Sequence, residues 1–311
     1  MAKILVWGDS TWSIGQMYTK IAQGVGGEFK DWLIPVNAEY FRGFDKILVQ
    51  AGSPVRVLVY AHQVPREKIF AVSHSEEGSY TYLKAEENEN INKYGGYATV
   101  SDTLACSSLS MGITRVPTVL RQGIDCDHYF SPPPQELKTV GYAAVFCRPN
   151  VQGVEIKRGA LVEKAVEQAG LEFKPAIPGN DPSQPYYRQK IIAKENMPSY
   201  YRSVDCVVMS SLQEGGSMPP YEAAAAGRLV IGTPTGDFPR LCYEGQGILA
   251  PLNSEAFVEF TRDTLNFYKN NSTDFQNKCQ SIQSAVRKNR DWPVVMSDWR
   301  DFLGVMLTTP P

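Results

Sequence analysis

The most informative segment of the chain is Glu214-Gly-Gly-Ser-Met-Pro-Pro-Tyr-Glu-Ala-Ala-Ala-Ala-Gly227. Its alanine run favours a helix, prolines suit the first turn of a helix, and glycine suits the position just after the end. Apolar runs on both sides read as β-strands. The stretch therefore predicts a strand–loop–helix–strand unit. Its loop would lie at the carboxyl end of a strand, where open α/β sheets bind their ligands.

Two carboxylates stand in this unit, Glu214 in the glycine-rich turn and Glu222 early in the helix. Free N–H groups at a helix start favour an anion, most often phosphate. Gly215 and Gly216 let the backbone approach a ligand closely, because they carry no Cβ. Carboxylates that accept ligand hydroxyls beside a phosphate site indicate a sugar nucleotide. The plainer alternative is an ordinary crossover with two solvated glutamates.

Apolar strands alternate with helical segments along the whole chain, and this alternation predicts α/β architecture with doubly wound parallel sheets. Strands are predicted over 3–7, 31–36, 46–50, 69–73, 97–101, 116–120, 139–146, 173–177, 204–209 and 229–231. The proline run Ser131-Pro-Pro-Pro134 is the predicted connector, since proline fits neither helix nor central strand. The predicted domains are residues 1–131 and 132–291, followed by an amphipathic helix over 292–307.

The composition narrows the class of protein. A chain of 311 residues with 43% hydrophobic residues can bury two cores, and its net charge of −2 gives no basic field for nucleic acid. Six scattered cysteines without a C-x-x-C pattern read as reduced, which is typical of a cytoplasmic protein. We expect no signal peptide and no transmembrane segment, because no apolar run is long enough.

Two cofactor patterns are considered and set aside. Asp125-Cys-Asp127 matches a D-x-D pattern that binds a divalent metal in some enzymes, but it precedes the proline run instead of ending a strand of the second predicted domain. The loop Gly8–Gly15 is not the G-x-G-x-x-G fingerprint of nicotinamide-binding proteins. The sequence therefore predicts neither a metal nor a cofactor.

The chain as a whole resembles retaining GT-B glycosyltransferases of the Glu-x7-Glu type, the family 4-like "glycosyl transferases group 1". The strongest part covers residues 205–241, with Gly-Asp-Phe-Pro-Arg-Leu at its end. The segment that connects the two domains in this family resembles Gln122-Gly-Ile-Asp-Cys-Asp-His-Tyr-Phe-Ser-Pro132. The strand and serine that precede this segment resemble Ala98-Thr-Val-Ser101. Trp292-Pro-Val-Val-Met-Ser-Asp-Trp299 resembles the final helix, which crosses back to the first domain.

This resemblance implies two Rossmann-like domains that face each other across a cleft, with the sugar-nucleotide donor on the C-terminal domain and the acceptor on the N-terminal one. It places Glu222 on the ribose hydroxyls. It places Glu214 on the sugar and distal phosphate, together with a turn of four residues, Gly215, Gly216, Ser217 and Met218.

Cations and two N-terminal residues complete the implied site. Arg148 would neutralise the diphosphate together with Arg158 or Lys157, and which of the last two does so stays open because the connecting loop is longer than usual. Gly15 matches a glycine loop that caps the diphosphate, and His74 matches a histidine near the reacting carbon. Without the resemblance, His74 reads as an ordinary packing residue.

The implied reaction transfers a sugar, with retention and without a metal, from a nucleoside-diphosphate sugar to an acceptor hydroxyl. A UDP- or GDP-sugar is the expected donor, and the sequence does not indicate the acceptor. Three alternatives stay open at this point: a nucleotide-sugar 2-epimerase of the same fold, a transferase acting on a polymer such as modified DNA, and a non-enzymatic sugar-nucleotide-binding protein.

Overall fold

The computed structural model describes residues 2–10, 13–75, 90–144, 153–178, 190–245 and 247–305. The chain forms two compact units, one built from residues 1–123 with 292–311 and the other from residues 124–291. The proline run predicted as the connector lies inside the second unit. No helix within the described ranges combines the length and the apolar character needed to span a membrane.

The first unit holds a parallel sheet of six strands in the order β2-β1-β3-β4-β5-β6. Its strands are β1 Ile4–Gly8, β2 Glu28–Asp31, β3 Lys46–Gln50, β4 Ile69–Ser73, β5 Gly96–Thr99 and β6 Thr118–Val119. Its α-helices are Ser13–Val25, Ala38–Arg42, Ser53–Arg56, Asp102–Ser110 and Trp292–Leu303, with a π-helical turn over Val57–Ala61. The sheet order reverses between β1 and β3, so the connections after those strands flank the usual ligand position.

Helices cover both faces of this sheet, because alternate strand residues pack into two separate cores. Leu5 and Trp7 of β1 enter one core, whereas Ile4 and Val6 enter the other. The C-terminal helix packs Trp299, which is completely buried, into the second of these cores. A parallel strand buried on both faces is continuously apolar, as the sequence Ile-Leu-Val-Trp is here.

The second unit holds another parallel six-stranded sheet, in the order β12-β11-β10-β7-β8-β9. Its strands are β7 Thr139–Ala143, β8 Glu172–Pro178, β9 Lys190–Ile192, β10 Cys206–Met209, β11 Leu229–Gly232 and β12 Ile248–Leu249. Its α-helices are Cys126–Tyr129, Gly159–Gln168, Met197–Arg202, Met218–Ala225, Phe238–Tyr243, Ser254–Asn270 and Ser272–Arg290. Counted from its own first strand, this sheet has the Rossmann order 3-2-1-4-5-6, with the switch point between β7 and β10.

Most predicted strands are present, but the prediction over 31–36 was wrong. The strand there is Glu28–Asp31, which pairs with β1. Leu33 and Ile34, whose apolar character suggested a strand, are 62% and 52% exposed in the loop that follows. Two parallel α/β sheets confirm the predicted fold class.

Candidate functional site

Lys157 and Glu214 meet at the switch point of the second sheet. The connection after β7 carries Lys157, and the connection after β10 carries Glu214. Since β7 and β10 are neighbouring parallel strands, both connections leave the same edge of the sheet side by side. The sheet therefore brings a cation and a carboxylate together at the place where this fold binds nucleotides.

The ammonium Nζ of Lys157 forms an ion pair with Oε1 of Glu214, and the hydroxyl of Ser211 donates to the same oxygen at 2.7 Å. The two charged side chains are only 13% and 15% exposed. Partial burial strengthens their attraction, because little water screens it. Each group still reaches the surface, where it can exchange its partner for a phosphate or a sugar hydroxyl.

Four hydrogen bonds hold the backbone that presents Lys157. A carboxylate oxygen of Glu155 accepts from the N–H of Lys157 at 2.7 Å and from the N–H of Arg158 at 3.0 Å. The carbonyl of Lys157 accepts from the hydroxyls of Tyr142 at 2.9 Å and Ser210 at 2.7 Å. The lysine is therefore presented from a backbone fixed on both sides of its Cα.

Arg158 turns into the fold. Its Nε donates to the carbonyl of Ser210 at 2.6 Å and its Nη1 to the carbonyl of Leu252 at 2.7 Å. The remaining nitrogen, Nη2, is buried and has no hydrogen-bond partner in the described part of the chain. Burial lowers the pKa of this guanidinium. Of the two cations that the sequence left open, the structure brings Lys157 to Glu214 and anchors Arg158 on backbone carbonyls.

The residue Arg158 also adopts a left-handed backbone conformation, with φ of 52°, just before the helix Gly159–Gln168. This conformation is uncommon for any residue other than glycine and costs about 1–3 kcal/mol, so it persists only where the surrounding structure holds it in place. The hydrogen bonds that Arg158 donates to Glu155 and to the two carbonyls supply that constraint. Strained residues of this kind cluster at functional sites, where the shape of the turn is part of the site.

Gly236 supports the turn that carries Glu214. A Cβ added to Gly236 would lie 2.9 Å from both the Cβ of Glu214 and the carbonyl oxygen of Gly215. The backbone of Gly236 has a φ of 57°, which also favours glycine. No other residue type fits here without moving the turn. Sequence reasoning did not select this residue for the site.

The predicted donor-binding turn leads directly into the helix Met218–Ala225. Gly215 is buried and Gly216 is partly exposed, and Ser217 caps the helix without a side-chain hydrogen bond to it. Pro219 and Pro220 follow, so the amides of Ser217 and Met218 are the N–H groups that this helix start can offer to a ligand. Four predicted residues thus lie together in one turn, and their contacts with a donor stay a prediction.

Glu222, one helical turn further on, is partly buried and accepts two tyrosine hydroxyls. Tyr129 donates to its Oε1 at 3.0 Å, and Tyr201 donates to its Oε2 at 2.6 Å. Burial raises the pKa of this carboxyl group, whereas the bonds from Tyr201 and Tyr129 and the charge of Lys194 act to lower it. The two tyrosines were not selected from the sequence.

A buried ionic cluster lies behind the helix that carries Glu222. Arg290, completely buried, donates to Oδ2 of Asp237 at 2.8 Å and through its Nε to Glu244 at 2.9 Å. The hydroxyl of Tyr221, the residue before Glu222, bonds to the same oxygen of Asp237. Because Asp237 follows Gly236, this cluster ties the Glu222 helix to the loop that supports Glu214.

In the first unit, the predicted residues His74 and Gly15 occupy the carboxyl edge of the sheet. His74 follows β4 and is 7% exposed, and its Nε2 lies 3.0 Å from the hydroxyl of Tyr18. Burial lowers the pKa of His74 to about 3, so its imidazole is neutral at physiological pH. A Cβ on Gly15 would lie 1.8 Å from the carbonyl oxygen of Asp9, which explains the glycine by backbone packing alone.

Two further sequence expectations concern Arg148 and the D-x-D pattern. Arg148 lies outside the described residues. Asp125 caps the helix Cys126–Tyr129 through a bond from the N–H of His128 at 3.1 Å, and Asp127 pairs with Arg287 at 2.8 Å. Among the described residues, no group of three or more His, Cys, Asp or Glu side chains is placed to hold a metal ion.

Residues 138–266 match the family model of "Glycosyl transferases group 1". This segment contains Lys157, Glu214 and Glu222, so the resemblance to group 1 glycosyltransferases is confirmed for the unit that carries the candidate site. No curated protein matches the sequence of the chain.

Solved structures with this fold include three that align over almost the whole chain. HepE of Anabaena, in complex with UDP-glucose, is 14% identical with a TM-score of 0.74 and covers 98% of this chain and 100% of its own. A glycosyltransferase of Rickettsia africae is 12% identical with a TM-score of 0.72 and covers 97% and 99%. Sucrose-phosphate synthase of Thermosynechococcus elongatus is 13% identical with a TM-score of 0.71 and covers 98% and 100%. These similarities establish the GT-B fold.

Proposed function

We propose that this chain, whose second unit carries the group 1 glycosyltransferase match, transfers a sugar from a nucleoside-diphosphate sugar to an acceptor hydroxyl. The observation that carries the proposal is the ion pair of Lys157 with Glu214 at the switch point, followed in the chain by the helix Met218–Ala225 that carries Glu222. Lys157 supplies a cation for the diphosphate, Glu214 accepts hydrogen bonds from the sugar hydroxyls, and Glu222 accepts them from the ribose. UDP-glucose is the first donor to test, because HepE has been crystallised with it.

In the proposed reaction, negative charge grows on the diphosphate as the bond from the anomeric carbon to the leaving oxygen breaks. Lys157 and the amides of Ser217 and Met218 stabilise this charge. They act more strongly on the transition state than on the bound donor, which is the condition for catalysis. Loss of one such donor typically costs about 3 kcal/mol of barrier. No metal ion is required in this scheme.

Lys157 has to leave Glu214, or share its protons with a phosphate oxygen, when the donor binds. The anionic diphosphate replaces Glu214 as counter-ion, and a sugar hydroxyl then donates to the released carboxylate oxygen. Ser211 stays bonded to Glu214 at 2.7 Å and keeps that carboxylate oriented. The positive charge of Arg158, which has no carboxylate partner in the described part of the chain, adds to the potential that attracts the anion.

We propose retention of the anomeric configuration, with the diphosphate itself taking the proton of the acceptor hydroxyl on the same face of the sugar. His74 is neutral because burial lowers its pKa to about 3, so it takes part as a hydrogen-bonding group and not as an imidazolium. We assign it to the sugar and its reacting carbon, and Gly15 to the diphosphate.

The experiment is a donor panel of UDP-, GDP- and ADP-sugars, with release of the nucleoside diphosphate as the readout so that water can stand in for the acceptor. NMR of the released sugar reports its configuration at the first turnover. Retention and full activity in EDTA are expected. Conversion of the donor to an isomeric sugar nucleotide, without release of the nucleoside diphosphate, would identify an epimerase instead. No turnover with any donor would contradict the proposal.

A further inference from the structure

We propose that Tyr129 and Tyr201 are positioning residues for the nucleoside, holding Glu222 so that one acceptor site on each carboxylate oxygen faces the 2′- and 3′-hydroxyls of a ribose. The site would thereby select ribonucleotides over 2′-deoxyribonucleotides. This inference rests on the proposed ribose-binding role of Glu222.

The geometry of the three side chains carries the inference. Each tyrosine hydroxyl donates a hydrogen bond to a different oxygen of Glu222, Tyr129 at 3.0 Å and Tyr201 at 2.6 Å. The tyrosines come from separate helices, Cys126–Tyr129 and Met197–Arg202, and their rings meet edge to face with centroids 5.9 Å apart. Three helices therefore converge to fix one carboxylate.

The hydrogen-bond capacity of Glu222 matches a vicinal diol. An ionised carboxylate offers about four acceptor sites, two on each oxygen. The two tyrosine hydroxyls use one site on each oxygen, so one on each remains. The 2′- and 3′-hydroxyls of a ribose supply two donors at a spacing that fits such a fork. A 2′-deoxyribose supplies one and leaves a buried acceptor without a partner, which is costly.

Both tyrosines are suited to act only as donors to this carboxylate. Tyr201 is completely buried and Tyr129 is 8% exposed, and burial and the charge of Glu222 raise the pKa of both hydroxyls far above their usual value. Each phenol therefore keeps its proton over the whole working range of pH and can stabilise the ionised form of Glu222.

The charged groups around Glu222 influence the pH at which its carboxyl group titrates. Lys194, from the turn before the Met197–Arg202 helix, favours the ionised carboxylate, and Asp125 lies near Tyr129. In the helix Ser272–Arg290, the guanidinium of Arg290 lies over the ring of Tyr221 and pairs with Asp237. A change in the titration of Glu222 on loss of one phenol hydroxyl thus reports that hydroxyl.

The test compares the variants Tyr129→Phe and Tyr201→Phe with Tyr200→Phe as matched control. Tyr200 neighbours Tyr201, but its hydroxyl donates to the carbonyl of Lys174 at 2.8 Å. UDP affinity is measured by calorimetry from pH 5 to pH 8, with GDP and ADP in parallel. We expect Tyr201→Phe to weaken UDP binding about tenfold, with a smaller change for Tyr129→Phe. The pH at which half of the UDP affinity is lost on acidification should rise by about one unit in Tyr201→Phe and by less in Tyr129→Phe.

Discrimination between UDP and 2′-deoxy-UDP is the second readout. We expect the wild type and Tyr200→Phe to prefer UDP by about tenfold or more, and Tyr201→Phe to lose most of that preference. The inference would be overturned if Tyr129→Phe and Tyr201→Phe both matched Tyr200→Phe in UDP affinity, in the pH midpoint of that affinity and in the preference for UDP over 2′-deoxy-UDP. A Glu222→Ala protein that binds UDP like the wild type would instead overturn the ribose role of Glu222 in the proposed function.

Discussion

Lys157 and Glu214, 57 residues apart in sequence, close an ion pair across the switch point of the second sheet. The pair depends on a backbone turn that Glu155, Tyr142 and Ser210 hold in place. The pair places the ammonium group of Lys157 at the position where this fold binds phosphates.

Replacement of Lys157 by Met should lower turnover of the donor by about 10²-fold or more, because one of the groups that stabilise the leaving diphosphate is lost. Release of nucleoside diphosphate under saturating donor measures this effect. The control is Lys138→Met, which removes a lysine from the exposed ion pair with Glu136 and should change turnover by less than about twofold. Equal turnover of the two variants would remove Lys157 from the charge-stabilising set.

Gly236→Ala should weaken donor binding by about tenfold or more, because a Cβ there displaces Glu214 and Gly215. The matched control is Gly245→Ala in the same unit. Gly245 also has a positive φ, 85°, but its Cβ would meet nothing closer than 3.9 Å. Both variants should lose stability through backbone strain, and only Gly236→Ala should lose donor affinity. Similar affinities would show that the turn does not need this glycine for binding.

Arg290→Met should lower the free energy of unfolding by about 3–5 kcal/mol, because it leaves the buried carboxylate of Asp237 without its cation. Denaturant titration measures the loss. Arg287→Met is the control, since its partner Asp127 is 85% exposed at the side chain and such a pair contributes at most about 1 kcal/mol. A loss below 1 kcal/mol for Arg290→Met would contradict the structural role of this cluster.

His74 should make the protein less stable in mild acid. Its pKa is lowered to about 3 in the folded state, against about 6.5 when unfolded, so between these values the unfolded chain binds the additional proton. Stability therefore falls as the pH falls below about 6.5, at up to about 1.4 kcal/mol per pH unit from this group. The free energy of unfolding should differ less between pH 7 and pH 5 for His74→Gln than for the wild type, and equal differences in the two proteins would contradict this prediction.

Much of the fold follows from the sequence because central parallel strands are continuously apolar. The predicted strands over 46–50 and 69–73 match β3 and β4 residue for residue. Short edge strands lack such a signal: β12 has two residues and β9 three, and neither was predicted. Leu33 and Ile34 show the opposite error, since an apolar pair that stays in an exposed loop looks like a strand.

The site was predictable to the extent that it lies within contiguous sequence. Glu214, Glu222 and the turn between them form one motif, whereas Tyr129 and Tyr201 reach Glu222 only through the packing of separate helices. Lys157 and Arg158 are adjacent basic residues, and no pattern could tell which one turns inward. The left-handed backbone of Arg158 and its two carbonyl partners make that distinction in the structure.

The proposed nucleotide site is tested by calorimetric titration of UDP, GDP and ADP into the wild type, Lys157→Met and Glu222→Ala. At least one nucleoside diphosphate should bind saturably to the wild type, and its affinity should be lower by about tenfold or more in each variant. Failure of the wild type to bind any of the three, or equal affinities in all three proteins, would contradict the assignment of this site.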